Sequence, residues 1–194
     1  ALVDAARFPT LAKPHHHVSA LEVLLLFSCG ATSAMAIAFV KLSLGIPGHS
    51  IVIAALPMTL GMSLAPRQFA GVMMSASAIG TAFLLSLAGR ATFGSGAFAS
   101  LVILGPMMDL ALRHARGGWR LYAALVTAGV ATNLLALASR AASKILGLDV
   151  GARPFDSWWL QASVTYRLSG IVAGLLGALC WFHINDRSDR KPPV

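Results

Sequence analysis

The sequence predicts an all-α protein, an integral membrane bundle of about six transmembrane helices. Of its 194 residues, 57% are hydrophobic and only 11% are charged, and the apolar residues form six long runs. Short segments with charged residues, proline or glycine separate these runs. A soluble domain has roughly 25% charged residues, whereas a helix of roughly 20 apolar residues crosses the hydrocarbon core of a bilayer. The expected surroundings of this chain are therefore lipid.

The six predicted spans follow one another with short connections. In chain order they are residues 18–40, 49–64, 68–88, 95–112, 121–145 and 164–184. The apolar part of the first span exceeds the 7 to 15 residues typical of a signal peptide core, so we expect a retained helix. Pro57 and Pro106 lie inside the second and fourth spans, where the missing backbone donor predicts a kink or an irregular stretch buried in protein.

The charged residues predict the orientation. Residues 1–17 form an N-terminal cytoplasmic or interfacial segment, 18–185 the membrane domain and 186–194 a basic tail. With six spans, the side that holds both termini has the larger set of basic residues: Arg7, Lys13, Arg67, Arg113, Arg116, Arg120, Arg187, Arg190 and Lys191. The positive-inside rule therefore predicts that both termini are cytoplasmic; the membrane that we expect is a bacterial inner membrane. Topology explains the net charge of +8 better than nucleic-acid binding does.

Two segments are expected outside. Residues 45–50 read GIPGHS, and residues 147–161 read GLDVGARPFDSWWLQ. His49 follows Pro47 and Gly48, and its imidazole has three interpretations: a metal ligand, a donor to another ligand, or a solvated side chain at a helix start. Trp158 and Trp159 form either an aromatic belt at the membrane surface or a lid over an outward-facing pocket.

Small side chains are common inside the spans, whereas ionisable side chains are almost absent. Asn133 is the clearest polar side chain at depth, and it either hydrogen-bonds a neighbouring helix or contacts a ligand. Ala34 and Ala38 lie four residues apart, with Ala31 nearby, and small residues at this spacing let two helices approach closely. These alanines pack either within the bundle or against a partner membrane subunit.

Several function classes lack their usual signals. The spans have almost no ionisable side chain at depth, which disfavours ion-coupled secondary transport. The motif FGSGAFAS at residues 93–100 has no base assignable to its serine, and a glycine-rich phosphate loop is absent from the sequence. We therefore predict that the chain is not an enzyme. A membrane enzyme would need His49 or Asp156 to line a cleft.

Residues 47–113 resemble a known family. Pro47, Gly48 and His49, the helix sequence IVIAALPMTLGMSLAP, and FGSGAFASLVILGPMMDLALR resemble the core of the membrane (M) components of cobalt and nickel energy-coupling-factor uptake systems. These belong to the wider class of substrate-capture (S) components. The resemblance implies a six-helix subunit that binds its substrate from outside and works with a scaffold transmembrane subunit and two cytoplasmic ATPases.

The resemblance also implies roles for residues. Ala31, Ala34 and Ala38 would dock on the scaffold, and His49 matches a metal-binding position. A cobalt or nickel ion would then be the substrate rather than a resident cofactor, and a vitamin-like molecule fits the class equally well. The alternative is a non-transporting accessory subunit of a respiratory or photosynthetic complex. A capture subunit should have an outward cavity, whereas an accessory subunit should have a filled interior and a broad lateral interface.

Overall fold

The computed structural model describes residues 19–40, 48–115, 119–147 and 155–189, and within the last range it describes the side chains of 159–184. These ranges contain six α-helices and no strand. The helices are α1 Ala20–Phe39, α2 Ser50–Leu64, α3 Ala70–Leu87, α4 Ser95–His114, α5 Trp119–Ile145 and α6 Phe155–Asp189. Five are long and apolar enough to cross a membrane, and α2 is apolar but shorter. The prediction of an all-α, multi-pass membrane bundle is confirmed.

The first five predicted spans agree with the helices to within two residues at each end. The sixth prediction was wrong, because α6 begins at Phe155, inside the segment predicted as the outer connection, and continues to Asp189, inside the predicted tail. Its apolar part is Trp159–Ile184. Pro154 stands just before the helix and Asp156 lies in its first turn, both favourable at a helix start. The prediction began the helix too late because Asp156, Ser157 and Gln161 interrupt the apolar residues there, although the apolar part begins at Trp159.

The five long helices form a curved row, and the short helix α2 closes the row by packing between its two ends. Extensive contacts join α1 to α3, α3 to α4, α4 to α5 and α5 to α6. The short helix α2 packs against α1 and α6 at the two ends of this row, and it also contacts α3 and α4. α2 therefore stands between α1 and α6, and its outer face keeps an exposed apolar stripe of Leu56, Leu60 and Leu64.

Polar contacts show which helix ends lie together. Glu22 in the first turn of α1 forms an ion pair with Arg67, just beyond α2, at 2.6 Å. Near the end of α4, the Asp109 carboxylate accepts hydrogen bonds from the backbone N–H groups of Gly71 and Val72, which begin α3, at 2.9 Å each. The starts of α1 and α3 and the ends of α2 and α4 therefore share one end of the bundle, which we call the Arg67 end.

The opposite end, which we call the His49 end, holds the start of α2. Gly48 contacts Asn133 in the second half of α5 and Tyr166 in the first half of α6. A Cβ atom on Gly96, at the start of α4, would lie 3.1 Å from the Tyr166 hydroxyl. The described part of GIPGHS and the last turns of α6 therefore lie at opposite ends of the bundle.

Glycines allow the helices to approach closely. Gly71 and Gly105 bring the backbones of α3 and α4 into contact, and a Cβ atom on either would meet the other's carbonyl oxygen. A Cβ atom on Gly129 of α5 would likewise meet the Gly170 carbonyl oxygen of α6. Helices α2 and α4 stay helical through Pro57 and Pro106, so the predicted irregular stretch is not found in either helix.

Candidate functional site

A buried polar cluster at the His49 end joins three helices. The Asn133 side chain is 0% exposed. Its amide nitrogen Nδ2 donates hydrogen bonds to the Tyr166 carbonyl oxygen at 2.7 Å and to Ser169 Oγ at 2.8 Å, and the Gly48 carbonyl oxygen lies 3.4 Å away. The interhelical hydrogen bond predicted for Asn133 is therefore present. It ties the start of α2 and the first half of α6 to α5.

Gly48 brings its backbone into this cluster because it is a glycine. Its φ of +88° lies in the left-handed region, which disfavours residues with a Cβ atom. A Cβ atom here would also lie 2.9 Å from Ser169 Oγ and 3.0 Å from the Tyr166 ring. The sequence pair Gly48–His49 thus has a structural reason: the glycine lets the chain pass close to α6 before α2 begins.

The surrounding oxygens fix the orientation of the Asn133 amide. The neighbours of Nδ2 are two backbone carbonyl oxygens and Ser169 Oγ. The Ser169 hydroxyl donates its own hydrogen to the Thr165 carbonyl oxygen at 2.7 Å, so its oxygen accepts from Asn133. An amide oxygen facing these acceptors would be repelled, so the nitrogen must face them.

The amide oxygen of Asn133 is consequently left without a partner. Oδ1 is buried and has no hydrogen-bond donor within the described part of the chain. The neighbouring Thr132 Oγ1 is in the same situation. Burying an unpaired polar atom costs about 1 to 3 kcal/mol, and most buried polar atoms in proteins are paired. Asn133 Oδ1 is therefore an acceptor that a donor from outside the described residues would satisfy.

Two of the other predicted site residues lie at the same end. His49 is half-buried at the N-cap position of α2, directly beside Gly48, and its side chain makes no cap hydrogen bond. Trp159 is 42% exposed and lies two helical turns before Tyr166 on α6. The Trp158 side chain lies outside the described residues. The structure therefore brings His49, Asn133 and Trp159 to one end of the bundle, and their roles in binding stay predictions.

A small cavity begins one helical turn from the cluster, toward the Arg67 end. Gly129 is four residues before Asn133 on α5, and Ala173 is four residues after Ser169 on α6, so each pair shares a helix face. The cavity has a volume of about 10 Å³, room for about one water molecule. Its lining is almost wholly apolar: Ala55, Thr59, Leu104, Met108, Leu125, Gly129, Ala173, Gly174 and Gly177.

The alanines of α1 differ in their surroundings. Ala34 is 0% exposed, whereas Ala31 and Ala38 are half-buried. On the same helix, the Ser33 hydroxyl donates to the Ala54 carbonyl oxygen of α2 at 3.1 Å, and a Cβ atom on Gly30 would meet the Met74 carbonyl oxygen of α3. Much of the small-residue stripe therefore packs within the bundle, and Ala31 and Ala38 are the part of the predicted docking face that keeps exposed surface.

Because Ala34 is buried within the bundle, enlarging its side chain should disturb the packing of α1. Ala34→Leu should lower the free energy of unfolding by about 1 to 3 kcal/mol, because three added carbon atoms overpack the contact of α1 with its neighbours. Unfolding in mixed detergent micelles would measure it. Met35→Leu is the control, since Met35 is exposed and its volume hardly changes. An Ala34→Leu protein as stable as this control would mean that α1 can move away from the bundle at low cost.

Sequence reasoning missed the partners of Asn133. Tyr166 and Ser169 lie in the sixth apolar span, and the cluster uses a backbone carbonyl from one and a hydroxyl from the other. A buried asparagine in lipid requires polar partners, but the other spans contain many serine and threonine hydroxyls, so the sequence could not single out Ser169. Among the described residues, no three His, Cys, Asp or Glu side chains are grouped so as to hold a metal ion.

Asp109 is a second buried polar residue, and its environment is different. It is 7% exposed, and its two carboxylate oxygens accept from the first N–H groups of α3. These groups have no partner inside their own helix, and a negative charge is favourable beside them. Both oxygens are thus used within the fold, which makes Asp109 a structural cap between α4 and α3 rather than part of a binding site.

Comparison with known proteins does not add a relative to these observations. A scan against protein-family models finds no match for this chain, and neither the curated proteins nor the solved structures give one.

Proposed function

We propose that this chain is the substrate-capture membrane subunit of an energy-coupling-factor type ABC uptake system, which takes up a small nutrient from outside. The observation that carries the proposal is the acceptor oxygen of Asn133, which is fully buried in the polar cluster at the His49 end and has no partner among the residues that the structure describes. A bundle built only as a scaffold gains nothing from a buried polar atom without a partner, since that atom costs stability. A binding site gains a contact that its ligand completes.

The location of the cluster also supports capture from one side. Asn133 lies beside the start of α2, near the end of the bundle that holds His49 and Trp159. In the orientation that we propose, this end faces the outside of a bacterial inner membrane and both termini are cytoplasmic. The substrate is a transition-metal ion or a vitamin-like molecule, and the chain itself performs no catalysis.

The proposed partners are a scaffold transmembrane subunit and cytoplasmic ATPases. Docking on the scaffold would use α1, which is the least buried of the five long helices. Ala31 and Ala38 keep exposed surface on this helix, next to the exposed side chains of Thr32 and Met35. Small residues at such a surface allow a partner helix to approach closely.

A substitution at His49 tests the proposal. His49→Ala should weaken ligand retention by roughly tenfold, the loss expected for one good polar contact, because His49 directly adjoins the polar cluster. Native mass spectrometry of the gently solubilised protein, together with uptake by cells, would measure this. His114→Ala is the matched control, because His114 is exposed near the Arg67 end and bonds the Leu110 carbonyl oxygen of its own helix. Equal retention in the two variants would remove His49 from the site.

A second candidate function is a non-transporting accessory subunit of a larger respiratory or photosynthetic complex. The small volume of the cavity favours it, since about 10 Å³ is far below the space that a nutrient needs. The same mass-spectrometry experiment separates the two functions. A capture subunit should retain a small ligand and copurify with ATPases, whereas an accessory subunit should copurify with redox subunits and retain no small ligand.

A further inference from the structure

Building on the proposed function, we infer that the captured substrate is a neutral molecule that donates an N–H or O–H hydrogen to Asn133 Oδ1 and places a narrow apolar part in the adjoining cavity. This class excludes the free metal ion that the family resemblance allows. The inference depends on which atoms of the polar cluster are already used, and on where the cavity begins.

The donor requirement follows from the hydrogen bonds of Asn133. Its two amide hydrogens are used by the Tyr166 carbonyl oxygen and Ser169 Oγ, and the Ser169 hydrogen is used by the Thr165 carbonyl oxygen. The Asn133 amide and the Ser169 hydroxyl therefore have no hydrogen left to donate to a ligand. The atom of Asn133 that has no partner among the described residues is Oδ1, which can only accept a hydrogen bond. Only a ligand with its own donor gains a hydrogen bond here.

A cation is disfavoured by the same geometry. The oxygens of Gly48, Tyr166 and Ser169 surround the amide nitrogen of Asn133, which occupies the position that an ion bound to them would need. Among these groups only Asn133 Oδ1 is left for an ion, and a single neutral oxygen is far from a full coordination shell. The groups of the cluster also carry no net charge, and an ion buried among neutral groups keeps most of its desolvation cost.

The apolar requirement follows from the faces that continue below the cluster. From Asn133 the same face of α5 leads to Gly129 and Leu125, and from Ser169 the same face of α6 leads to Ala173 and Gly177. These residues line the cavity together with Ala55 of α2. The cavity itself has room for about one water molecule, so α5 and α6 must separate slightly to admit even a slender apolar group beside these small residues.

A pair of isomeric probes tests this inference. 1-Butanol and methyl propyl ether contain the same atoms, but only the alcohol can donate a hydrogen bond. The full chain in nanodiscs of phosphatidylcholine and phosphatidylglycerol would be heated with increasing concentrations of each probe, and the unfolding midpoint recorded. A ligand of the folded state raises this midpoint in a saturable manner. We expect the alcohol to act at concentrations about tenfold lower than the ether.

Three variants test whether the probes stabilise the protein by binding at Asn133 and in the cavity. Asn133→Leu should remove the difference between the probes, and Thr132→Val should keep it, since Thr132 has a buried unpaired oxygen of its own that the inference does not use. Ala55→Val adds two methyl groups to the cavity lining and should abolish the effect of both probes while Asn133 stays in place. This third variant keeps the test decisive where Asn133→Leu does not fold.

The outcomes separate this inference from the proposed function. Equal potency of the two probes in the unmodified chain, or saturable stabilisation by Co²⁺ or Ni²⁺ that Asn133→Leu abolishes, would overturn the neutral donor. Cobalt uptake that depends on this chain would overturn it too, while leaving capture intact. Discrimination between the probes in a chain that copurifies with redox subunits and without ATPases would support the donor site and overturn the proposed function.

Discussion

Asp109→Leu is expected to lower the free energy of unfolding of the bundle by about 2 to 6 kcal/mol, from about 1 to 3 kcal/mol for each unpaired donor. The substitution removes the carboxylate that accepts from the Gly71 and Val72 N–H groups. Because Gly71 and Asp109 are buried where α3 meets α4, water does not replace the bond between them well. Unfolding in mixed detergent micelles would measure the change, and faster amide exchange at Gly71 and Val72 would locate it.

Two further variants serve as comparisons for the destabilisation expected of Asp109→Leu. Glu22→Gln removes the partly exposed ion pair with Arg67 at the same end of the bundle, and such a pair contributes at most about 1 kcal/mol. Asp109→Asn keeps one carbonyl oxygen as an acceptor, so its effect should lie between the other two. The structural role assigned to Asp109 fails if Asp109→Leu is no more destabilising than Glu22→Gln.

Gly71→Ala is expected to destabilise the protein by about 1 to 3 kcal/mol, the usual range for overpacking, because the added methyl group would meet the Gly105 carbonyl group. It would also lie 3.0 Å from the Asp109 carboxyl carbon. Neither neighbour is the far end of a flexible side chain, so α3 and α4 must separate. The separation would also lengthen the two hydrogen bonds from α3 to Asp109.

Gly80→Ala supplies the matched control, with the same chemical change on the same helix. A Cβ atom on Gly80 has nothing within 4 Å, so helix propensity should decide the result, with a gain of up to about 1 kcal/mol. The two variants would be compared by unfolding in the same micelles. Equal stabilities would show that α3 and α4 are not held together by the contact between Gly71 and Gly105.

The helices were predictable where one physical signal dominates. Apolar runs bounded by charge or proline located α1 to α5 to within two residues, because lipid selects for length and hydropathy. The same signal failed at both ends of α6. Its first turn contains Asp156 and Ser157, and its last five residues, 185–189, read NDRSD and follow the apolar window Trp159–Ile184. Helix formation depends on backbone hydrogen bonding as well as hydropathy, so polar turns lengthen a helix beyond its apolar part.

The candidate site was predictable in its members and not in its geometry. Asn133 was recognisable because a polar group is costly in lipid, and His49 because it follows Pro47 and Gly48 at the start of an apolar run. The alternation of helices placed His49 at the outer end, but it did not place Asn133, which lies near the middle of α5. The contacts of Asn133 with Tyr166 and Ser169 were not predictable, because they depend on how far α5 and α6 are shifted along each other. Here the close approach at Gly129 and Gly170 sets that shift.

The shortness of α2 has a consequence for the membrane itself. Its 15 residues span about 22 Å at 1.5 Å per residue, against a hydrocarbon layer of about 30 Å. Its helical part alone therefore cannot reach from one surface of this layer to the other. Because Leu56, Leu60 and Leu64 are exposed on the outer face of α2, either the bilayer is thinner beside this helix or the residues that flank it complete the crossing.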